Sequence, residues 1–574
     1  MYGGIRKTKG MRKGIISLVN VVVLMVVLIV LNMIASKYYG QWDLTEYKRY
    51  SLTEPTKDLL QNLNDQIFVQ VLLEGTFPAG FKRLKENASD LLDEFNSYSG
   101  LLDIQFIDPS QGSVEQINET REQLSKDGIM PQNLKIMDGD EMTNKLIYPY
   151  AIFRKGQRSI AVNMLEPQSA GVSEENSLNN SVSLLEYKFA DAIQKLTQTS
   201  RANILFTEGN GEFNNSEIAD LMMKLREFYN IGRIDLDSTY RIHPEVDILI
   251  LARPREMIEQ KEQFIIDQYI MKGGNVIWLM NKMNVNLDSI NVNKFYVAPE
   301  YDTGLDDLFF AYGIRLQNNY VLDIECTRIP QVVGSSGGEA QQVLIPWPYH
   351  VMAASQNNHP INKNIDRVNL KFPSSIDTIA TKENIDKTVL LKSSPYTMYQ
   401  RNPTRLNFEI LRYGLEAEKF NKDPQDLAVL VEGNFRSAFV NRVPASFQEA
   451  LGQLGETYQK ESIGSKQLFV SDADFVKNLF DAGTGKFSPM GYNKWERKSF
   501  KGNQSFIMNS IEYMLDQKGV LQARSKEVKL RLLDTVKAKK EKVKWRLINI
   551  VSPLLMLLIF GLVYNFLRRR KYAQ

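Results

Sequence analysis

The chain has 574 residues, which at ~100 to 200 residues per domain corresponds to three or four structural units. With 43% hydrophobic and 24% charged residues it has an ordinary globular composition, which excludes wholesale disorder, collagen-like repeats and coiled coil as descriptions of the whole. Lys+Arg 70 against Asp+Glu 67 leaves +3, too even a balance for phosphate-backbone binding, so nucleic acid is not an expected partner. The single cysteine, Cys326, excludes an internal disulfide framework and any multi-cysteine zinc or iron–sulfur site.

Residues 1–14 form a basic tail carrying Arg6, Lys7, Lys9, Arg12 and Lys13 with no acid. Ile15 to Ala35 follows as 21 residues without a charge, long enough for the ~30 Å hydrocarbon layer and longer than the ~7 to 15 residues of a signal-peptide core. It reads as an uncleaved transmembrane helix. Residues 36–64 are a membrane-proximal linker and helix, with Ser51 or Thr53 as cap ahead of Pro55. Residues 65–198 form a first α/β domain. Strands are predicted over Ile67–Leu73 and Leu102–Ile107, a helix over Phe81–Tyr98, a hairpin within Ala151–Val162, and an exit helix over Val182–Leu196.

Residues 199–520 are predicted as a second α/β domain. Strands Asn203–Phe206, Ile231–Leu236, Val246–Leu251 and Val276–Met280 alternate with helices Ser216–Phe228 and Glu256–Met271, the pattern of a parallel sheet covered on both faces. This is a flavodoxin-like, amidotransferase-like pattern. A helix over Asp302–Tyr312 follows; Leu427–Val431, Leu468–Val470 and helix Phe506–Leu515 then complete the same sheet around an insertion at about 318–423. Within it Gly334 to Gln342 is Gly/Ser-rich and reads as a mobile loop. Residues 521–546 form a basic stalk, with ten Lys/Arg between Arg524 and Arg546, read either as lying near lipid head groups or a partner, or as a solvated charged helix. Leu547 to Leu567 is a second uncharged stretch of 21 residues, and the 568–574 tail carries Arg568, Arg569, Arg570 and Lys571. The basic short tails place both termini in the cytoplasm and the main domains across the membrane, which in a bacterium is the periplasm. The expectation is a two-pass inner-membrane protein with tandem extracytoplasmic α/β domains between two transmembrane helices.

Candidate chemistry is sparse. Gly209-Asn210-Gly211-Glu212 follows a strand and precedes a helix, where parallel sheets place ligand loops, but it lacks the G-x-G-x-x-G spacing and a tight turn explains both glycines. Asp472 and Asp474 follow a strand, where their oxygens could share a divalent cation or Asp474 could cap a helix. His243, His350 and His359 have no metal-ligand spacing, and no metal or cofactor is expected. Gly483-Thr484-Gly485-Lys486 is followed by Phe487, not Ser or Thr, so there is no Walker A motif. Cys326 lies outside any nucleophile elbow and no G-x-S-x-G occurs, so no catalytic residue is assigned.

Several segments taken in order resemble the gliding-motility-associated ABC transporter auxiliary proteins of the Bacteroidota. They are Asp43-Leu44-Thr45 with Tyr50-Ser51-Leu52-Thr53; Phe206-Thr207-Glu208-Gly209-Asn210-Gly211-Glu212; Ile266-Asp267-Gln268-Tyr269-Ile270-Met271 with Gly273-Gly274; Val431-Glu432-Gly433-Asn434-Phe435; Ser471-Asp472-Ala473-Asp474-Phe475; and Pro553 in the C-terminal span. Asn210 stands where that family commonly has His. The resemblance implies a non-catalytic auxiliary subunit of an ABC transporter, partnered by an ABC-2-type permease, a separate cytoplasmic ATPase and other envelope proteins, anchored in the lipid bilayer. It also implies that the large region between the spans is similar to a domain of an intraflagellar transport protein, one that binds and does not catalyse. The competing readings are an envelope enzyme on the amidotransferase-like fold and a scaffold independent of any ABC transporter.

Overall fold

The computed structural model describes residues 20, 22–30, 32–33, 51–75, 77–138, 141–166, 174–198, 200–336, 339–355, 357–411, 414–440, 442–481, 483–516, 519–525 and 535–572. Its contacts group the chain up to Lys526 into one compact unit and Glu527–Gln574 into a second.

Within the first unit, strands β1 (Ile67–Val71), β2 (Leu102–Phe106), β3 (Tyr150–Lys155) and β4 (Arg158–Asn163) form a sheet in the order β2-β1-β3-β4. β1 and β2 are parallel and joined by helix α1 (Ala79–Ser99). The alternation along β1 sends Ile67, Val69 and Val71 inward and leaves Phe68 exposed, so one face buries against Leu84, Leu92 and Phe95 of α1. Helix α2 (Leu185–Thr197) adds Phe189 and Ile193 to that core. The sequence missed a helix over Val114–Lys126 and a hairpin over Gln132–Ile147, because both are polar and weakly periodic.

The larger sheet holds β5 (Asn203–Glu208), β6 (Asn230–Asp235), β7 (Val246–Ala252), β8 (Asn275–Leu279), β9 (Cys326–Ser336), β10 (Glu339–Ser355), β11 (Val368–Lys371), β12 (Ile385–Lys392), β13 (Asp426–Gly433) and β14 (Ser465–Val470). Its path is β9-β10-β12-β13-β14-β8-β7-β5-β6, with β11 beside β10. Five neighbours, β6-β5-β7-β8-β14, are parallel, so their chain order across the sheet is 2-1-3-4-5. Strands buried on both faces read as continuous apolar runs. Along β8, Ile277 and Leu279 enter the core under helices α3 (Ala219–Phe228) and α5 (Lys501–Leu515), while Val276 and Trp278 enter the core under α4 (Gln260–Met271). Trp278 is fully buried and its indole N–H donates to Gln467 Oε1 at 3.0 Å.

The expected insertion is less separate than its sequence suggests, since its strand β12 pairs antiparallel with β13 and so extends the main sheet. The Gly/Ser-rich run, read as a mobile loop, instead lies in the β9–β10 hairpin, with residues 337 and 338 outside the described residues. Helix α2 beside the four-stranded sheet is tied to α5 beside the larger one by a charged cluster: Lys195 on α2 contacts Asp191 and, at 2.8 Å, Glu512 on α5, while Tyr187 donates to Glu512. Burial pushes the Asp191 carboxyl up to about 6.

In the second unit, helix α6 (Thr535–Tyr572) is continuous, with Pro553 inside it and the outer part of the basic stalk forming its start. Residues 541–570 are long and apolar enough to cross a membrane by length and composition, which among the described residues is true of this helix alone. Of the first expected span, residues 20, 22–30 and 32–33 are helical and the remainder lies outside the described residues.

The motif Ile266–Met271 with Gly273-Gly274 closes α4 against β8. A Cβ built on Gly274 stands 2.3 Å from Cζ of Tyr269, whose buried hydroxyl donates to Val246 O at 3.1 Å and fixes the ring. Gly274→Ala is therefore expected to lower the unfolding free energy by ~2 kcal/mol or more, as overpacking does. Gly452→Ala, a helical site whose Cβ meets nothing within 4 Å, is expected to be neutral or stabilising by up to ~1 kcal/mol. Urea titrations of both variants check the contrast.

Candidate functional site

Parallel strands end with their carbonyl edges facing the loops that follow, and open α/β sheets bind ligands there. Both sequence candidates lie at this edge. The Gly209–Glu212 loop follows β5. Gly209 and Gly211 have φ of 114° and 78°, as a tight turn requires. Asn210 is buried, and its amide donates to Met257 O at 3.0 Å and Glu262 Oε2 at 3.2 Å. Its carbonyl accepts the N–H groups of Arg255 and Glu256, and its own N–H donates to Glu212 Oε2 at 2.8 Å. Asn210 thus ties the loop to the segment after β7 and to α4, while the Glu212 carboxylate closes the loop on itself. A shallow depression beside them is lined by Gly209, Gly211 and Glu212, with Arg233 as its cation.

Asp472 and Asp474 follow β14. Asp472 is fully buried and accepts the N–H of Lys371 at 2.8 Å, the N–H of Asp474 at 2.9 Å and the Asn281 amide at 3.2 Å. A short 3-10 turn over Asp474–Val476 follows, with Ala473 at its N-cap and no side-chain capping bond, so Asp474 lies inside the turn and does not cap it. Asp474 accepts from Asn281 at 3.0 Å and pairs with Arg253 at 3.1 Å. Burial and the Asp474 charge push the Asp472 carboxyl up to about 7. Among the described residues no group of three or more His, Cys, Asp or Glu side chains is placed to hold a metal ion.

Arg253 stands between the two candidate regions in a left-handed backbone conformation, φ 59°. Such a conformation costs ~1 kcal/mol for a residue with a Cβ. Offsetting contacts are at hand. Arg253 N–H donates to Leu279 O, its guanidinium lies 4.1 Å from the centre of the Phe213 ring, and it pairs with Asp474 and, at 3.5 Å, Glu217. Burial pushes the Glu217 carboxyl up, but the Lys477 hydrogen bond, the Asn214 N–H and the charges of Lys477 and Arg253 together outweigh it and hold the carboxyl below the usual range. Asp474 lines a cleft of about 310 Å³; Gly209, Gly211 and Glu212 line the separate depression, so the two candidates do not share one pocket.

The cleft beside Asp474 includes residues that the sequence did not single out: Lys371 from β11, Phe372 after it, and Trp495 from the turn before α5. His350, examined in the sequence only as a metal ligand, lines it as well. His350 and Lys371 are directly opposed across β10 and β11, an arrangement that depends on a pairing register invisible in local sequence. Burial holds the His350 imidazole well below its usual range, so it is neutral. Cys326 has no thiolate character either, since burial and nearby acids push its thiol up to about 12.

The fold and its strand-end cleft carry no chemistry of their own that names a reaction, and the comparisons place the chain among transport proteins. Residues 201–510, more than half of the chain, match the family described as an ABC-type uncharacterized transport system, ABC_transp_aux. The chain belongs to this family of ABC transporter auxiliary proteins. Residues 46–154 match a domain of unknown function, DUF7088. A protein of Borreliella burgdorferi described as uncharacterized is 21% identical over 552 residues, covering 92% of this chain and 93% of that one. Among solved structures, the mmIFT52 N-terminal domain is similar at 12% identity over 55% of this chain and 97% of that one, with a TM-score of 0.30.

The Asp472 carboxyl generates a pH prediction. An unfolded Asp ionises near ~3.9, whereas the folded one holds its proton to about 7. Its contribution to stability is therefore full below the unfolded value and is lost as pH rises through 7. Asp472→Asn is expected to reduce the fall in unfolding free energy between about pH 5 and pH 8, measured by urea titration, whatever its effect at the lower pH.

Proposed function

We propose that the protein is a non-catalytic, membrane-anchored auxiliary subunit of an ABC transporter of the gliding-motility type represented by GldG of the Bacteroidota. It is held in the inner membrane by two helices, with both termini cytoplasmic and the α/β region in the periplasm. Its partners are an ABC-2-type permease in the bilayer and a separate cytoplasmic ATPase, and its periplasmic region meets other envelope proteins. The observation that carries this reading is the family match over residues 201–510. The apolar helix over 541–570 supports the anchor. The absence of a Walker A motif from the sequence supports a separate ATPase, and the lack of thiolate character at Cys326 supports a non-catalytic role. The order 2-1-3-4-5 of the parallel strands supports a flavodoxin-like assignment for residues 199–520 with its insertion at about 318–423, and the separate four-stranded sheet supports a first domain over 65–198.

Two measurements test the reading. In a Cys326→Ala background, a cysteine at exposed Lys382 is expected to react with a membrane-impermeant maleimide from the periplasmic side; reaction from the cytoplasmic side alone overturns the topology. Replacing Ile15–Ala35 and Leu547–Leu567 together by generic Leu/Ala helices is expected to preserve insertion and to weaken co-purification with the permease. Packing and amide hydrogen bonds, not hydrophobicity, carry helix association in lipid, and each amide contributes only ~0.6 kcal/mol, so single Asn→Leu changes are expected to be silent. Undiminished permease binding after the double exchange overturns the membrane-packing contact.

A further inference from the structure

The hydrogen bonding inside the strand-end cleft leaves one pair of side chains unexplained. His350 is only 1% exposed, yet neither ring nitrogen has a hydrogen-bond partner. A buried polar group in that condition costs ~1 to 3 kcal/mol. Directly opposite it on the same face of the β10–β11 ladder is Lys371, whose ammonium forms no ion pair among the described residues. The other charges of the cleft are already matched: Arg253 pairs with Asp474 and Glu217, and Lys477 with Glu217. The oxygens of Asp472 accept two backbone N–H groups and the Asn281 amide, and among the described residues they form no ion pair with the Lys371 ammonium.

Beside this pair the wall is aromatic and apolar. The Trp495 ring lies nearly parallel to the imidazole, 6.2 Å between centres and 13° between planes, and Phe372 meets it edge-on at 5.3 Å. Met283 and Leu287 continue that wall around the cleft of about 310 Å³. Tyr301 and Asn286 line the cleft as well; Lys371 is its cation without an ion pair among the described residues, and beside it stands the unpartnered, neutral imidazole of His350, which supplies a single N–H donor. Two adjacent donors, one of them charged, suit the two oxygens of a carboxylate, and the free positive charge excludes a cationic ligand.

We infer that this cleft binds a small organic carboxylate with an apolar or aromatic body, its oxygens received by Lys371 Nζ and an N–H of His350 and its body laid against Trp495, Met283 and Leu287. Trp495 rides on the short two-stranded turn spanning Tyr492 to Ser499. The inference rests on the reading of this chain as a binding subunit, but its test needs no transporter, so a failure here and a failure of permease association are separate results.

The test is calorimetric titration of the full chain in neutral detergent with N-acetylphenylalanine, its neutral amide and inorganic phosphate. The acid is expected to bind, the amide ~10-fold or more weaker, and Lys371→Gln to weaken the acid by a similar factor while leaving the amide unchanged. His350→Asn is expected to weaken the acid as well; if that buried variant fails to fold, Lys371→Gln decides alone. The inference is overturned by equal binding of acid and amide, by acid affinity unchanged in Lys371→Gln, or by no acid binding up to about 10 mM. Phosphate binding as tightly as the acid overturns it too, because the apolar wall then contributes nothing.

Discussion

The larger domain depends on the burial of its parallel strands on both faces. β14 pairs with β8 in parallel, Val276 opposite Gln467 through Leu279 opposite Val470, although the whole insertion lies between them in the chain. That pairing carries Phe469 into stacking contact with Trp278 at 5.8 Å and 12°, with Phe309 edge-on to both. Aromatic pairs of this kind contribute ~0.5 to 1.5 kcal/mol each beyond the area they bury. Because a strand slipped by one residue exchanges its two faces, such a slip would send Trp278 into the core that now holds Ile277 and Ile277 into the one that holds Trp278.

The cleft follows from the same constraint. Once β7, β8 and β14 are aligned, the residues after their ends, Arg253, Asn281 and Asp472–Asp474, are brought to one edge and engage one another. The insertion then supplies the opposite wall, since the β10–β11 ladder delivers His350 and Lys371 there. The two carboxylates are engaged in building this edge, Asp472 with backbone N–H groups and Asn281, Asp474 with Asn281 and Arg253. Asp267 shows the same economy elsewhere: buried within α4, it accepts from Tyr312, Ser437 and the N–H of Ala438, joining three segments.

The segments that carry the family resemblance are largely of this structural kind. Gln268 exchanges hydrogen bonds with Gln459, Tyr269 covers Gly274, and Asn210 bridges β5's loop to α4. These segments therefore mark where the sheet is locked together, and His350, Lys371 and Trp495 lie outside them.

By itself the sequence determined the elements whose signal is local. The apolar runs of β5, β7 and β8, the amphipathic helices between them and the long C-terminal helix were legible because burial on both faces, helical spacing and uncharged length each leave a pattern within a few residues. The turn at Gly209 and Gly211 was legible for the same reason. Only the tertiary structure decided that the insertion returns β12 to the main sheet, that the Gly/Ser-rich run is part of a hairpin, and that Lys195 and Glu512 meet. It also decided that His350 and Lys371 face each other beside Trp495, since cross-strand register and the packing of distant segments are set by contacts between residues far apart in the chain, which no local periodicity records.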